Sequence, residues 1–476
     1  MKELLFKKFH LKEKGTDIRT EIIAGLVVFI AMLYILPVNS SILADMGMDK
    51  AGVFVSTALL TAGVTIFMGL FANYPIALSS GMGLNAYIAY TVCLTLGFTW
   101  QESMLLLFVA GILFFSMSLT PLRQKLIEAI PEGLKNAISA GLGGFILFVG
   151  LSGSGIITAG AGTLVTLGTF NNLATLLAFV GIMLVLGLNF LGNKKIARLA
   201  IPIGLLITAI IGVIASSIMI QTGNVDYAMN SGLPIAPWYS SGTGFGISGL
   251  DKVVFFGFLD SSATNEGFGT MLVNIFTNPQ AYMAIFALIL VNLFDTTATL
   301  VTVGKDCGLI DEKGMLINGR KAMMVDATGA LICAPLGTST VTSFAESSIG
   351  ASMGAKTGLT SVTTGLMFLI AAFCFPIFSV FSYSCVTAPA LVMVGILIFS
   401  GAIRRMSKDS AISLYASVLT ILSMVLTYSL ANGLGIGIIS YVVMSLFAKK
   451  KENLNPYIIS MAALFVINFA LTAIMA

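Results

Sequence analysis

Three acids stand deep inside apolar stretches of this chain: Asp295, Asp326 and Glu346. A charge at the middle of a bilayer costs on the order of 3 kcal/mol even on insertion scales, so such acids are retained where they face a cavity, pair or titrate. The sequence places no Lys, Arg or His at comparable depth to pair with them. A carboxyl without a cationic partner in a low-dielectric site can keep its proton near neutral pH, which is the chemistry that proton coupling requires. Glu346 falls at the start of a second broken helix, and there it can accept hydrogen bonds from the N–H groups of a heterocycle. Asp295, in Asn292-Leu-Phe-Asp-Thr-Thr-Ala-Thr-Leu300, precedes a row of hydroxyls and suits a proton-carrying or site-organising acid. Its alternative role is an N-cap or a helix-to-helix hydrogen bond. Asp326, in Met-Val-Asp-Ala-Thr-Gly329, reads first as a structural brace, and Asn292 is grouped with it.

The neighbours of these acids widen the candidate site. Asn85 both donates and accepts, so it suits the edge of a flat ring, with interhelical bonding as its alternative. Phe294 and Phe344 precede polar positions by one and two residues and could stack on such a ring, or simply pack. Thr342 adds a hydroxyl. Asn85 and Glu346 each close a run that starts at a proline: Pro75-Ile-Ala-Leu-Ser-Ser-Gly-Met-Gly-Leu-Asn85 and Pro335-Leu-Gly-Thr-Ser-Thr-Val-Thr-Ser-Phe-Ala-Glu346. Gly, Pro, Ser and Thr make poor continuous helix and leave backbone groups unpaired. Within a membrane such backbone survives where it is buried in protein or lines a cavity. Each run is therefore expected to enter as an extended segment and start a short helix whose N-terminus points at a central site. Ordinary small-residue helix packing is the competing explanation.

The elements that position these residues follow from composition. Of 476 residues 57% are hydrophobic and 10% charged, and the mean hydropathy is +0.98, values that place the chain in lipid. Apolar runs of roughly 20 residues can each cross a bilayer as a helix. They lie near 22–42, 52–72, 103–121, 136–157, 172–191, 199–220, 279–303, 357–380, 384–403, 411–431 and 433–448, and weaker ones near 75–96, 321–336 and 338–353 complete fourteen spans. A further apolar run, 455–475, follows. The first run is read as a retained span and not a signal peptide, because no small-residue cleavage site follows it.

Basic residues fix the orientation. With a cytoplasmic N-terminus, 23 of the 25 Lys and Arg fall in the even-numbered connections, with Lys50 and Lys252 outside, as expected of a multi-pass protein of the cytoplasmic (inner) membrane. Scattered in this way they mark topology and offer no nucleic-acid surface. The stretch 221–275, with Trp238, Asp251, Asp260 and Glu266, separates seven spans from seven. An odd number in each half sets the halves in opposite orientations, the arrangement of an inverted repeat. The domain reading is a tail 1–21, a first repeat 22–220, an outside loop 221–275, a second repeat 276–448 and a C-terminal segment 449–476. The five cysteines have no metal or disulfide spacing, and the single histidine, His10, lies in the tail. No metal or other cofactor is expected.

Gly81-Met-Gly-Leu-Asn-Ala86, Leu293-Phe-Asp-Thr-Thr297, Gly337-Thr-Ser-Thr-Val-Thr-Ser-Phe-Ala-Glu-Ser347, Gly354-Ala-Lys-Thr-Gly-Leu-Thr360 and Thr387-Ala-Pro-Ala-Leu391 together resemble the AzgA-like purine permeases. These belong to the wider nucleobase-ascorbate transporter superfamily. The resemblance implies an all-α, UraA-like fold of about fourteen transmembrane segments in a 7+7 inverted repeat, broken in spans 3 and 10. It implies a core domain (spans 1–4 and 8–11) that slides against a gate domain (spans 5–7 and 12–14). It also implies proton symport of a purine base, guanine or hypoxanthine before adenine, with Asn85, Asp295 and Glu346 as site residues. The chain departs from some relatives at Asn292, where they carry an acid. Partners would be the base, protons and lipid, with a homodimer left open. An anion (sulfate-like) or pyrimidine carrier of the same fold is the alternative, and a membrane-embedded hydrolase a more distant one.

Overall fold

The fold is taken from a computed structural model. It describes residues 8–120, 123, 130–160, 162–191, 196–197, 199–226, 231–235, 252–259, 268–310, 316–406, 410–450 and 454–475. About half of the expected 221–275 loop, including Trp238, Asp251, Asp260 and Glu266, lies outside them.

The protein is a multi-pass helical membrane protein. Among the described residues eight helices, some running on through a turn or a π-helical stretch, are long and apolar enough to cross a bilayer; the other spans are shorter or broken. Span 1 starts where Asp17 accepts a hydrogen bond from the Thr20 amide and opens α1 (Ile18–Met32). It breaks at Leu33–Tyr34 and resumes as α2 (Ile35–Ala44). Pro37 lies three residues after Tyr34 and has no N–H for the carbonyl of Leu33, so a break there is the expected result. Span 2, α3 (Lys50–Phe67), is capped by Asp49 and runs through a π-helical turn to Asn73, whose φ of 56° stops it. Later spans are α5 (Trp100–Leu119), α6 (Glu132–Gly153), α7 (Leu173–Asn189) and α8 (Ala200–Gln221). In the second half come α9 (Pro279–Asp306), α10 (Gly319–Ile332), α12 (Gly358–Ala371), α13 (Ser384–Met406), α14 (Ala411–Leu426) and α15 (Leu430–Phe447).

Spans 3 and 10 are the ones broken into strand and helix. Span 3 enters as β1 (Leu78–Ser80), turns into the short helix α4 (Met82–Ala86) and leaves as a π-helix through Thr95. Span 10 enters as β4 (Val341–Ser343) and starts α11 (Ser347–Ser352). The two strands pair antiparallel with Leu78 opposite Ser343, Ser79 opposite Thr342 and Ser80 opposite Val341. Amides of Gly81 and Phe344 extend the ladder to Thr340 and Ala77, each at 3.0 Å. Backbone that could not be left bare in lipid is thus satisfied by its counterpart in the other half. The antiparallel register is what two oppositely oriented repeats produce. A small hairpin, β2 (Ile157–Thr158) with β3 (Thr166–Leu167), lies at the end of span 5.

Span 12 packs on spans 5, 6 and 7, and span 13 on spans 5 and 14; span 11 packs on spans 1 and 2, and span 9 on span 4. Glycines permit the closest approaches. A Cβ on Gly143 of α6 would stand 2.8 Å from the Gly395 carbonyl of α13, and one on Gly395 2.7 Å from the Gly143 carbonyl, so each position excludes any larger residue. Such small-residue contacts let helices gain dispersion where lipid supplies no hydrophobic drive. The run 455–475 forms a last apolar helix, α16 (Pro456–Met475), whose Phe465 is fully buried against Phe286 of α9, ring centroids 5.5 Å apart.

Candidate functional site

A cavity of about 410 Å³ lies beside the β1–β4 pair. One wall is drawn from spans 1, 3, 8 and 10: Tyr34, Met82, Gly83, Asp295, Thr299, Thr342, Ser343, Phe344, Ala345, Glu346 and Ile349. The other is drawn from spans 5, 6, 7 and 12: Leu142, Ile146, Asn189, Ala197, Ala200, Ile201, Met393, Val394, Leu397 and Ile398. Among the described residues Asn189 is the sole polar side chain on that second wall, so the chemistry described is concentrated on the first.

Glu346 sits where the sequence places it, immediately before α11, and is half-buried at the cavity. Its Oε1 accepts a hydrogen bond from the Tyr34 hydroxyl at 2.6 Å. The strand ladder ends at Phe344, so the chain turns into the helix within two residues and delivers the carboxyl to the cavity. Thr342 and Phe344 line the same wall. Asp295 lies near the middle of the 28-residue helix α9, so the N-cap alternative does not apply to it. It is half-buried, lines the cavity one turn before Thr299, and takes no hydrogen bond among the described residues.

Asn85 and Phe294 stand behind this wall. Asn85 is fully buried; its Nδ2 donates to Asn39 Oδ1 and its Oδ1 accepts from Ser339 Oγ, both at 2.5 Å. Asn39 in turn donates to Thr57 Oγ1 (2.7 Å) and Thr338 Oγ1 (3.0 Å), so spans 1, 2, 3 and 10 share one polar network. Phe294 is 4% exposed and faces the packed interior, not the cavity.

Asp326 corrects one expectation: it does have a cationic partner. Arg123 Nη2 lies 3.4 Å from Asp326 Oδ2, and the arginine is only 3% exposed. Its Nη1 also donates to Ser118 Oγ (3.2 Å) and to the Met323 carbonyl (3.3 Å), and its guanidinium covers the Phe114 ring at 4.7 Å. Arg123 was counted as a loop residue because it follows span 4. A long side chain starting at a span end can nevertheless reach inward, and hydropathy along the chain cannot show this. Asp326 Oδ1 accepts from Thr296 Oγ1 at 3.0 Å, and Thr296 also approaches Asn292 Oδ1 at 3.5 Å. Thr296 thus links Asp326 to Asn292 on the helix that carries Asp295. Among the described residues no cluster of His, Cys, Asp and Glu could hold a metal ion.

Tyr34, Asn39 and Arg123 were not singled out from sequence. A signal existed for Tyr34, because a tyrosine deep in a span needs a partner for its hydroxyl and a nearby proline marks a bend.

A family described as Permease family (Xan_ur_permease) matches residues 19–436. The chain belongs to this permease family. It is 37% identical to Guanine/hypoxanthine permease PbuO of Bacillus subtilis (strain 168), over 96% of this chain and 99% of the relative. It is 34% identical to Adenine permease AdeP of Escherichia coli (strain K12), over 98% and 95%. The match to such relatives along nearly the whole chain agrees with the resemblance carried by the motifs. Among solved structures, the transmembrane domain of the cyanobacterial bicarbonate transporter BicA superposes with a TM-score of 0.58 at 15% identity, over 88% of this chain and 97% of the other. SLC26A9 superposes with 0.60 at 11% identity, over 94% and 69%. These likenesses bear on the fold alone, and they support the inverted-repeat transporter architecture. A permease moves its substrate across a membrane, so the family makes this chain a transporter.

Proposed function

We propose that the chain takes up a purine base with protons across the cytoplasmic membrane, its N-terminus inside, with guanine or hypoxanthine preferred to adenine. The observation that carries this reading is the pair of carboxyls, Asp295 and Glu346, on one wall of a cavity whose opposite wall is almost wholly apolar. A purine is flat, apolar on its faces and lined with N–H donors at its edge. Glu346 accepts from that edge, Phe344 stacks on a face, and Thr342 supplies a hydroxyl. Asp295, which takes no hydrogen bond among the described residues, is the proton-carrying acid. The names of the relatives support the substrate class, since PbuO and PbuG are guanine/hypoxanthine permeases and AdeP is an adenine permease. Asn85 and Phe294 contact the base only if the wall in front of them opens, so their part in binding is the more demanding element of the reading.

Transport follows if the wall from spans 1, 3, 8 and 10, part of a core domain of spans 1–4 and 8–11, slides past a gate of spans 5–7 and 12–14. The largely apolar second wall suits such sliding, because apolar contacts are not directional. An anion carrier is disfavoured by the two carboxyls, which repel an anion. A pyrimidine carrier remains the closer alternative, and a hydrolase lacks support from the permease family. The test is uptake of radiolabelled guanine, hypoxanthine, adenine, uracil and sulfate by cells without their own carriers, with and without a protonophore. Purine uptake that collapses with the proton gradient is expected; uracil or sulfate uptake in its place overturns the assignment.

A further inference from the structure

We propose that Tyr34 is a positioning and specificity-determining residue: by holding Oε1 of Glu346 it presents the other carboxylate oxygen to the base and favours substrates that offer a single N–H there. The inference rests on the reading of Glu346 as the substrate ligand and adds to it a second residue with a selective effect.

Four observations carry it. Tyr34 lines the same cavity as Glu346, so its hydroxyl acts at the binding surface. That hydroxyl donates to Glu346 Oε1 at 2.6 Å, a short, charge-assisted geometry when the carboxyl is ionised. The tyrosine is 3% exposed and set at the break between α1 and α2, so its ring has little freedom to swing away. Among the described residues Tyr34 is the sole side-chain partner of Glu346, whose carboxyl otherwise bonds the residue's own backbone, so Tyr34 is the side chain that sets the rotation of the carboxylate.

A carboxylate held by one oxygen offers the other to a single donor. Hypoxanthine presents N1–H beside a carbonyl and matches that arrangement. Guanine presents N1–H and an adjacent amino N–H, a pair that spans both oxygens of a carboxylate and therefore competes with Tyr34 for Oε1. Removing the hydroxyl frees the carboxylate to rotate, which weakens the single-donor base and leaves the two-donor base able to orient the carboxylate for itself.

The experiment is equilibrium binding of guanine and hypoxanthine to the purified full-length protein in detergent, for the wild type, Tyr34→Phe, Tyr34→His and Glu346→Gln. Tyr34→Phe keeps the ring and is expected to raise the hypoxanthine Kd about tenfold, the scale of one lost hydrogen bond to a charged group. The guanine Kd is expected to change less than about threefold. Tyr34→His, which retains a ring N–H donor, is expected to recover part of the hypoxanthine affinity, an effect that packing alone does not predict. Equal changes for both bases, or none, in a folded Tyr34→Phe protein overturn the role of Tyr34. Unaltered binding of both bases by Glu346→Gln overturns the underlying assignment of Glu346 instead.

Discussion

Spans 3 and 10 meet at the centre of the molecule as counterparts. Each begins at a proline, runs through hydroxyl-bearing residues as a short strand and turns into a short helix, and the strands pair with each other. Their polar side chains nevertheless go to different places. Glu346 comes three residues after its strand, before the first turn of α11, and faces the cavity. Asn85 comes five residues after its strand, inside α4, and is buried in the network of Asn39 and Ser339. Two further residues at about 100° each rotate a side chain by about 200°, nearly to the opposite face of a helix. A similar backbone therefore yields unlike chemistry: the second half presents an acid and the first half supplies a neutral brace.

The braces differ as well. Behind span 3 stand amides and hydroxyls, each with a partner, whereas the helix behind span 10 carries Asp326, paired in the interior with Arg123 from the end of span 4. Gly329 of that helix lies against Val341 of β4, where an added Cβ would meet the valine side chain at 3.0 Å. The difference predicts that charge changes are felt most in the second half. Arg123→Gln leaves Asp326 buried without its cation and is expected to destabilise the protein by roughly 3–5 kcal/mol, read as loss of thermal stability in detergent. The double change Arg123→Gln with Asp326→Asn should be milder; equal damage would show that the pair does not act as a unit.

Glu346→Gln is next in size. It is expected to reduce purine uptake by about a hundredfold, of the order of a lost charged hydrogen bond, with membrane insertion unchanged. Normal uptake would erase the proposed distinction between the two broken spans. Asn85→Ala probes the opposite side of it. Loss of two buried hydrogen bonds is expected to lower stability by about 1–3 kcal/mol, with a smaller loss of uptake than Glu346→Gln. If Asn85→Ala instead keeps full stability and abolishes binding, the asparagine reaches the base and the two spans are functionally alike. The smallest effect is expected for Thr342→Val, which keeps shape and removes one hydroxyl at the cavity wall. A KM increase of about threefold is expected, roughly half the usual value of a neutral hydrogen bond, and its absence would confine recognition to the carboxyls.

The sites of chain breakage and the acids at depth were legible because both depend on local chemistry. Proline and glycine disrupt a helix wherever they stand, and an acid in an apolar run is conspicuous without knowledge of its neighbours. Asp295 and Glu346 were therefore found and proved to share a cavity wall. The partner of Asp326 was not found, because Arg123 precedes it by about two hundred residues and belongs by sequence to a loop. Tyr34 escaped for the same reason, its bond to Glu346 joining the first span to the tenth.

By itself, then, the sequence determined that this protein lives in a bilayer, where its spans run, which two of them break into strand and helix and which acids lie deep. Hydropathy, backbone propensity and the cost of burying charge act residue by residue, so they can be read in one dimension. Only the tertiary structure decided which acid faces the cavity, which is paired and which side chain holds it. Those outcomes turn on distances of a few ångströms between remote segments and on rotation about helix axes, and the linear order of residues contains neither.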